Sequence, residues 1–143
     1  PYREVTVMPD INALRVGETL PERSYTPTNV SLFMYNAAIW NPHRIHYDEE
    51  YTTDVEKHPG VVVDGPLQGD WLTQVVLDWL DDAGDMVEFE YSNRKASYLG
   101  QTLFSGGSVD SIDIAAGTAR LTLFIKDESG ETTTPGSATV NLR

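Results

Sequence analysis

The sequence contains no cysteine among its 143 residues. It therefore has no disulfide framework and no thiolate chemistry, and we expect it in a reducing compartment, the cytoplasm. Long apolar runs are also missing, since no stretch approaches the roughly 18 residues that a membrane span needs. The first residues, PYREVTVMPD, contain no signal-peptide core. We therefore expect no membrane-spanning role.

Positive charge is scarce. The chain has 10 lysines and arginines against 22 acidic residues, which gives a formal net charge of −12. A nucleic-acid duplex or an anionic lipid surface would be repelled by most of such a surface, so we expect neither as a partner. An anionic small molecule could still bind where cations gather, and Arg94 and Lys95 form such a pair.

The length suits one domain over residues 1–143. Residues 1–28 are predicted to be an irregular lead-in, with a turn at Gly17 followed by a short extended piece. Thr28 or Asn29 is then predicted to cap a helix over VSLFMYNAAIW. Its apolar residues recur at helical spacing and fall on one stripe: Val30, Phe33, Met34 and Ala37. The Asn41-Pro42 pair is predicted to end this helix.

A second helix is predicted to begin at Gly65, with Pro66 at its first position, where the missing N–H costs nothing. Its apolar residues form a stripe so wide that we expect the helix to be enclosed on most sides: Leu67, Trp71, Leu72, Val75, Val76, Trp79 and Leu80. The polar run DDAGD is predicted to end it.

The remainder is rich in strand patterns. MVEFEYSNRKA alternates apolar and polar residues, QTLFSGGSVDSIDI follows, and DESGE is predicted to be the turn of a last hairpin. One enclosed helix followed by at least three antiparallel strands predicts an α+β hotdog fold, with the sheet wrapped around the helix. A single sheet leaves one flank of its helix exposed, so we expect pairing with a second hotdog domain.

Two motifs carry a family resemblance: NPHRIHYD over residues 41–48 and GVVVDGPLQ over residues 60–68. The chain resembles the MaoC-like hotdog dehydratases and the (R)-specific type-2 enoyl-CoA hydratases, from about residue 29 to its end. A third stretch, YLGQTLFSGG, is weaker. The resemblance implies reversible addition of water to a 2-enoyl thioester without a cofactor. It also implies that the matching segment is often half of a protein with two hotdog domains.

The family's catalytic aspartate and histidine lie in the motif Asp-x-Asn-Pro-x-His-x-Asp. Aligning the Asn-Pro pairs places Ile39 and Arg44 at those two positions, which removes the chemistry. Aligning His-x-Asp places His46 at the histidine and Asn41 at the aspartate, and we adopt this register. An imidazole can transfer protons near neutral pH. An amide orients a water or the imidazole but carries no proton in this range, so either His46 performs both transfers or another carboxylate takes part.

Asp64 is the candidate for that carboxylate, since the family generally has histidine just before the helix-capping glycine. The alternative is that Asp64 is only a charge at a helix N-terminus. The backbone N–H groups at Gly65, Leu67 and Gln68 are expected to hold the thioester oxygen in the enolate-like state.

Structural roles are the alternatives for the other residues of the first motif. His43 is expected to shape the turn, and Arg44 to pair with the acids that follow. His43, His46 and Asp48 have no spacing specific for a metal site, and we predict none.

We therefore predict an acyl-CoA hydratase or dehydratase, with Arg94 and Lys95 either at the phosphates of CoA or on a plain surface. An acidic acyl-carrier protein suits a surface of charge −12 less well than CoA does. Two alternatives keep the fold: a non-catalytic subunit of a heteromeric hydratase, and a thioesterase. The partner is expected to be an identical copy or a second hotdog subunit, and the sequence does not specify the acyl group.

Overall fold

The computed structural model describes residues 7–143, and its main feature is one antiparallel sheet of five strands. The order across the sheet is β1-β3-β4-β5-β2. The strands are β1 (Thr19–Tyr25), β2 (Gly84–Tyr91), β3 (Leu103–Asp113), β4 (Thr118–Lys126) and β5 (Thr132–Leu142). Asp127 and Glu131 close the predicted turn between β4 and β5 with a backbone hydrogen bond of 3.0 Å.

A long helix, α2 (Gly65–Leu80), packs against the sheet and contacts all five strands. Its apolar stripe meets the inward side chains of β3, β4 and β5 in a single core. The buried apolar side chains of the helix are those of Trp71, Leu72, Val75, Val76, Trp79 and Leu80. This arrangement confirms the predicted α+β hotdog fold, with the helix enclosed by the sheet.

The shorter helix, α1 (Asn29–Ala38), begins as predicted. Thr28 is its N-cap, and the side chains of Thr28 and Ser31 each bond the other's backbone N–H in a capping box. The helix ends at Ala38, before the Asn-Pro pair, and the chain then turns through Trp40, whose φ is 57°.

The apolar stripe of α1 faces outward in the structure. Val30, Phe33 and Met34 are exposed to 61%, 59% and 65%, whereas Leu32 and Asn36 are the buried residues. The helix lies on the outside of the domain and turns only a narrow face inward. An apolar stripe indicates the face of a helix that is unfavourable in water. In this chain that face of α1 is not covered by the rest of residues 7–143.

The lead-in contains the predicted extended piece, which forms the strand β1. β1 pairs antiparallel with β3 and forms one edge of the sheet. Gly17 donates its N–H to the carbonyl of Val109 at 2.8 Å, which ties the predicted turn to the sheet. Residues 1–6 of the predicted lead-in lie outside the described residues.

Among residues 7–143, no helix is long and apolar enough to cross a membrane.

Candidate active site

Backbone hydrogen bonds bring the two sequence motifs together in front of α2. Val62 donates its N–H to the carbonyl of Ile45 at 2.9 Å. On the other side of this segment, Val63 donates to the carbonyl of Ser97 at 2.8 Å and Leu99 donates to that of Val61 at 2.9 Å. The residues just before α2 are therefore held between the first motif and the loop after β2, and their side chains are buried.

His46 lies on a short 3₁₀ turn, Arg44–His46, and its ring is buried. Its Nδ1 lies 2.8 Å from the carbonyl oxygen of Val62. A carbonyl can only accept, so Nδ1 carries a hydrogen and donates it. The other nitrogen, Nε2, is then the one that carries the free lone pair. It points at Asp64, whose Oδ2 is 3.5 Å away.

Asp64 is the N-cap residue of α2, and its side chain is fully buried. Its Oδ1 accepts a hydrogen bond of 3.0 Å from Nδ2 of Asn36, and its Oδ2 has no hydrogen-bond partner among the described residues. Burial raises the pKa of this carboxyl group, while the facing His46 and the amides of Asn36 and Asn41 act in the opposite direction. The carboxyl group is thus poised to exchange a proton with the imidazole.

Asn41 lies where α1 ends, and its backbone N–H donates to the carbonyl of Asn36 at 3.0 Å. Its side-chain oxygen accepts from the backbone N–H of His43 at 3.1 Å. Its amide also lowers the pKa of Asp64, although no hydrogen bond joins the two side chains among the described residues. His43 meets His46 edge to face, with the ring centroids 5.7 Å apart, and its own side chain is exposed.

Two backbone N–H groups at the start of α2, those of Gly65 and Leu67, have no acceptor among the described residues. Pro66 stands between them and has no N–H. Such groups, at the positive end of a helix dipole, bind developing negative charge. The side chain of Asn93 lies directly over Gly65, where an added Cβ would come within 2.2 Å of its Nδ2.

Gln68 does not have the free donors that the prediction required. Its backbone N–H donates to the carbonyl of Asp64 at 3.2 Å. Its side chain is buried, with Nε2 3.5 Å from the carbonyl of Val63 and Oε1 accepting from the hydroxyl of Thr134 at 2.7 Å. Gln68 therefore links α2 to β5, and its backbone N–H is already engaged.

A pocket of about 320 Å³ opens beside Asn36 and Asn41. Its walls are mostly apolar, and Asn36 and Asn41 form its polar end. The other lining residues are Phe33, Ala37, Trp40, Pro42 and Tyr47. The pocket can therefore hold an apolar group whose polar end lies near Asp64.

The two predicted phosphate-binding cations differ. Lys95 forms ion pairs with Asp127 at 3.2 Å and Glu131 at 2.5 Å, so it closes the hairpin between β4 and β5 instead. Arg94 is exposed and forms no ion pair within residues 7–143, and its Nε lies 3.4 Å from the hydroxyl of Ser92. The role of both residues at phosphates stays a prediction, and the ion pairs of Lys95 favour the plain surface role for that residue.

The expected pairing of Arg44 with the acids that follow it agrees with the structure. Arg44 binds Asp48 through Nε at 2.9 Å and Nη2 at 2.7 Å, as predicted, and its guanidinium lies over the ring of Tyr51. No group of three or more metal-ligating side chains occurs in the described part of the chain.

Asn36 is the site residue that the sequence did not reveal. It is 2% exposed, and its Nδ2 donates both to Asp64 and to the carbonyl of Leu32. The available signal was a single asparagine within an apolar helix pattern, which has many ordinary explanations. Together, the buried Asn36, His46 and Asp64 and the half-buried Asn41 form a cluster capable of proton transfer. It lies beside an apolar pocket and two backbone donors that have no acceptor among residues 7–143.

Known structures share this fold. The (R)-hydratase from A. caviae superposes with a TM-score of 0.82 at 17% identity, over 92% of this chain and 98% of that chain. A chain of the ChsH1-ChsH2 complex from Mycobacterium tuberculosis superposes with a TM-score of 0.80 at 15% identity, over 90% of this chain and 98% of that chain. Both comparisons establish the hotdog architecture.

Sequence comparison is more specific. A relative from Schizosaccharomyces pombe, named hydroxyacyl-thioester dehydratase type 2, mitochondrial, is 38% identical over 94 residues. The match covers 61% of this chain but only 30% of the yeast protein, so the chain spans about a third of that relative. Residues 10–99 also match the family description hydroxyacyl-thioester dehydratase type 2. Since that match covers more than half of the chain, this protein belongs to the hydroxyacyl-thioester dehydratase type 2 family.

Proposed function

We propose that this protein reversibly adds water to 2-enoyl thioesters, forming 3-hydroxyacyl thioesters, and that its substrates are CoA esters. The observation that supports this most is the approach of His46 Nε2 to Asp64 Oδ2 at the buried start of α2. Hydration needs one group that takes a proton from water and another that delivers a proton to carbon. A facing acid and base next to free backbone donors meets that need.

The proton steps balance if His46 Nε2 and Asp64 Oδ2 together hold one proton before and after each step. In the hydration direction, Asp64 begins ionised and His46 protonated. Asp64 Oδ2 takes a proton from water while the water oxygen bonds to C3 of the enoyl group, and Nε2 of His46 gives its proton to C2. Asp64 is then protonated and His46 neutral. Transfer of the proton from Asp64 to Nε2, across the 3.5 Å between them, restores the starting state.

The bond changes place negative charge on the thioester oxygen. The N–H groups of Gly65 and Leu67 are the donors proposed to stabilise it, because they lie at the N-terminus of α2 and bind no acceptor in the described chain. Asn41 orients the water or the carboxylate. Its amide cannot replace Asp64 as a base because it does not titrate in this range.

The acyl group is proposed to occupy the apolar pocket between α1 and Tyr47, whose polar end carries Asn36 and Asn41. Arg94 is proposed to meet the phosphates of CoA. Asn93, its neighbour in sequence, lies over Gly65, so the Arg94 backbone is close to the proposed oxyanion site. The net charge of −12 favours CoA over an acidic carrier protein.

The test is an assay with crotonyl-CoA and a longer enoyl-CoA. We expect the absorbance of the conjugated thioester to fall without release of free thiol. Thiol release would instead indicate hydrolysis. No loss of absorbance with either substrate, whether the protein is alone or mixed with a second hotdog subunit, would overturn the proposal.

We further propose that a second hotdog domain, either another copy or a separate subunit, covers the exposed face of α1. This face carries Val30, Phe33 and Met34, and Trp40 beside it is exposed to 92%. Apolar surface of this extent is unfavourable in water and typical of an interface. One structural neighbour, the ChsH1-ChsH2 complex, is itself an assembly of two named components.

Native mass measurement tests this assembly. Met34→Ser is expected to weaken association, because it places a hydroxyl in the covered face. The matched control is Ile114→Ser, since Ile114 is exposed to 64%, like Met34 at 65%, but lies beyond β3 at the far turn. Equal effects of the two changes would contradict an interface on α1.

The cellular location remains a prediction. The lack of cysteine predicts the cytoplasm, whereas the relative from S. pombe is named as mitochondrial. Fractionation of cells that express the full-length protein would distinguish the two compartments.

A further inference from the structure

We infer that Asn36 is a positioning residue, which fixes the Asp64 carboxylate so that one oxygen is held and the other is presented to His46. This inference rests on the proposed function for its catalytic meaning, while the contact itself is independent of that function. Asn36 belongs to neither of the two sequence motifs and lies on a different element, α1.

The contacts of Asn36 define its orientation. Its Nδ2 lies 2.8 Å from the carbonyl of Leu32 and 3.0 Å from Asp64 Oδ1. Both partners accept hydrogen bonds, so the amide nitrogen, and not its oxygen, must face them. The first bond ties the amide to its own helix, and the second ties the carboxylate to that fixed amide.

The consequence for Asp64 is a choice between its two oxygens. Oδ1 is held by Asn36, which restrains rotation of the carboxylate, and Oδ2 is left facing Nε2 of His46 at 3.5 Å. Without the amide, nothing on α1 would select this rotation. A donor to the carboxylate also favours its ionised form, which the base must have before it can accept a proton.

The energetics of α1 support a role beyond packing. Only two residues of this helix are buried, Leu32 and Asn36, and Oδ1 of Asn36 has no hydrogen-bond partner among residues 7–143. A buried amide with an unpaired oxygen is less stable than an apolar side chain of the same size. A polar residue at this inward position is therefore expected to serve Asp64 and not the stability of the helix.

The charged and titratable groups that act on Asp64 are few. His46 faces it from the 3₁₀ turn, and the hydroxyl of Tyr35, on α1, is engaged by Asp70 of α2 at 3.0 Å. The neighbouring amides, Asn36 and Asn41, do not titrate. A change in the titration of Asp64 after substitution at Asn36 is thus attributable to the lost donor.

The experiment compares Asn36→Leu, which keeps the volume but removes the donor, with Leu32→Val, a change of the other buried residue of α1. The titration of the Asp64 carboxyl carbon is followed by ¹³C NMR, and kcat and KM for crotonyl-CoA are measured against pH. Asn36→Leu is expected to move the Asp64 midpoint and the acid limb of kcat upward. It should lower kcat about 10- to 100-fold at neutral pH, with KM nearly unchanged.

Leu32→Val is expected to lower stability without moving either midpoint. If Asn36→Leu does not fold, Asn36→Ala gives the same comparison. An Asp64 midpoint and pH profile equal to those of the wild type would overturn the inference, even if the protein is an active hydratase. A shifted midpoint in a protein that hydrates no enoyl thioester would support the contact between Asn36 and Asp64 and overturn the proposed function alone.

Discussion

His46 and Asp64 face each other across 3.5 Å, although they come from different elements and neither is exposed to solvent. The hydrogen on Nδ1 of His46 is engaged by the carbonyl of Val62, so Nε2 is the nitrogen that exchanges a proton. Two such groups share one proton more favourably than they hold none, because a lone pair and a carboxylate repel each other. The geometry suits a reaction in which one of the two groups takes up a proton and the other gives one up.

Removing the imidazole is expected to remove the hydratase activity. His46→Gln should lower kcat/KM for crotonyl-CoA by about 100-fold or more, as expected for the loss of a general acid. The control is His43→Gln, because His43 is also a histidine of the motif but has an exposed side chain. Equal losses in the two variants would argue that the motif acts only through its fold.

Asp64→Asn is expected to lower activity about 100-fold and to change the pH dependence of stability. Burial raises the pKa of Asp64, so the folded state holds its proton to a higher pH than the unfolded state does. The contribution of Asp64 to the free energy of unfolding is therefore fully present below the ordinary pKa of a carboxyl group. It is lost as the pH rises through the raised pKa of the folded state. Urea unfolding from pH 4 to 8 should show this fall in the wild type and a smaller one in Asp64→Asn.

Stability curves with the same pH dependence in both proteins would contradict a raised pKa for Asp64. Asparagine can still accept the hydrogen bond from Asn36, so the variant is expected to fold.

Exchanging the acid and the amide tests whether position 41 or position 64 supplies the carboxylate. The double variant Asn41→Asp with Asp64→Asn should recover about 10-fold of the activity lost in Asp64→Asn, because residue 41 faces the same site. Asn41→Asp alone should move the acid limb of the pH profile upward, since two carboxyl groups then repel each other. The hydration rate of the three variants is the measurement, and a double variant no better than Asp64→Asn would show that position 41 cannot supply the base.

The two cations after β2 are expected to differ in substrate binding. Arg94→Ala should raise KM for crotonyl-CoA about 3- to 10-fold, since a charge-assisted contact to phosphate is lost. It should leave KM for crotonyl-pantetheine, which has no phosphate, unchanged. Lys95→Ala is the matched control, because Lys95 is engaged by Asp127 and Glu131. An equal rise in KM for both thioesters would place the effect of Arg94 elsewhere.

Local patterns were sufficient to predict the elements around the site. The Gly-Pro start and wide apolar stripe of α2, the cap at Thr28 and the turn before β5 depend on interactions within a few residues, so the sequence contains their cause. Strand alternation was less reliable. A register shift between Met86 and Glu88 in β2 turns Met86 and Phe89 to the core and leaves Val87 half exposed, which a strict alternation does not anticipate.

The sequence by itself determined the hotdog architecture, the two motifs, and the candidate groups His46, Asn41 and Asp64, because each depends on residue type and short-range spacing. Only the tertiary structure decided which of these groups meet. The hydrogen bond between Val62 and Ile45 brings His46 close to Asp64. The position of α1 on the outside of the domain exposes Phe33 and buries Asn36. The tertiary structure also places Gln68 and Lys95 in contact with other parts of the chain. These outcomes depend on contacts between segments distant in sequence, whose energies no local pattern contains.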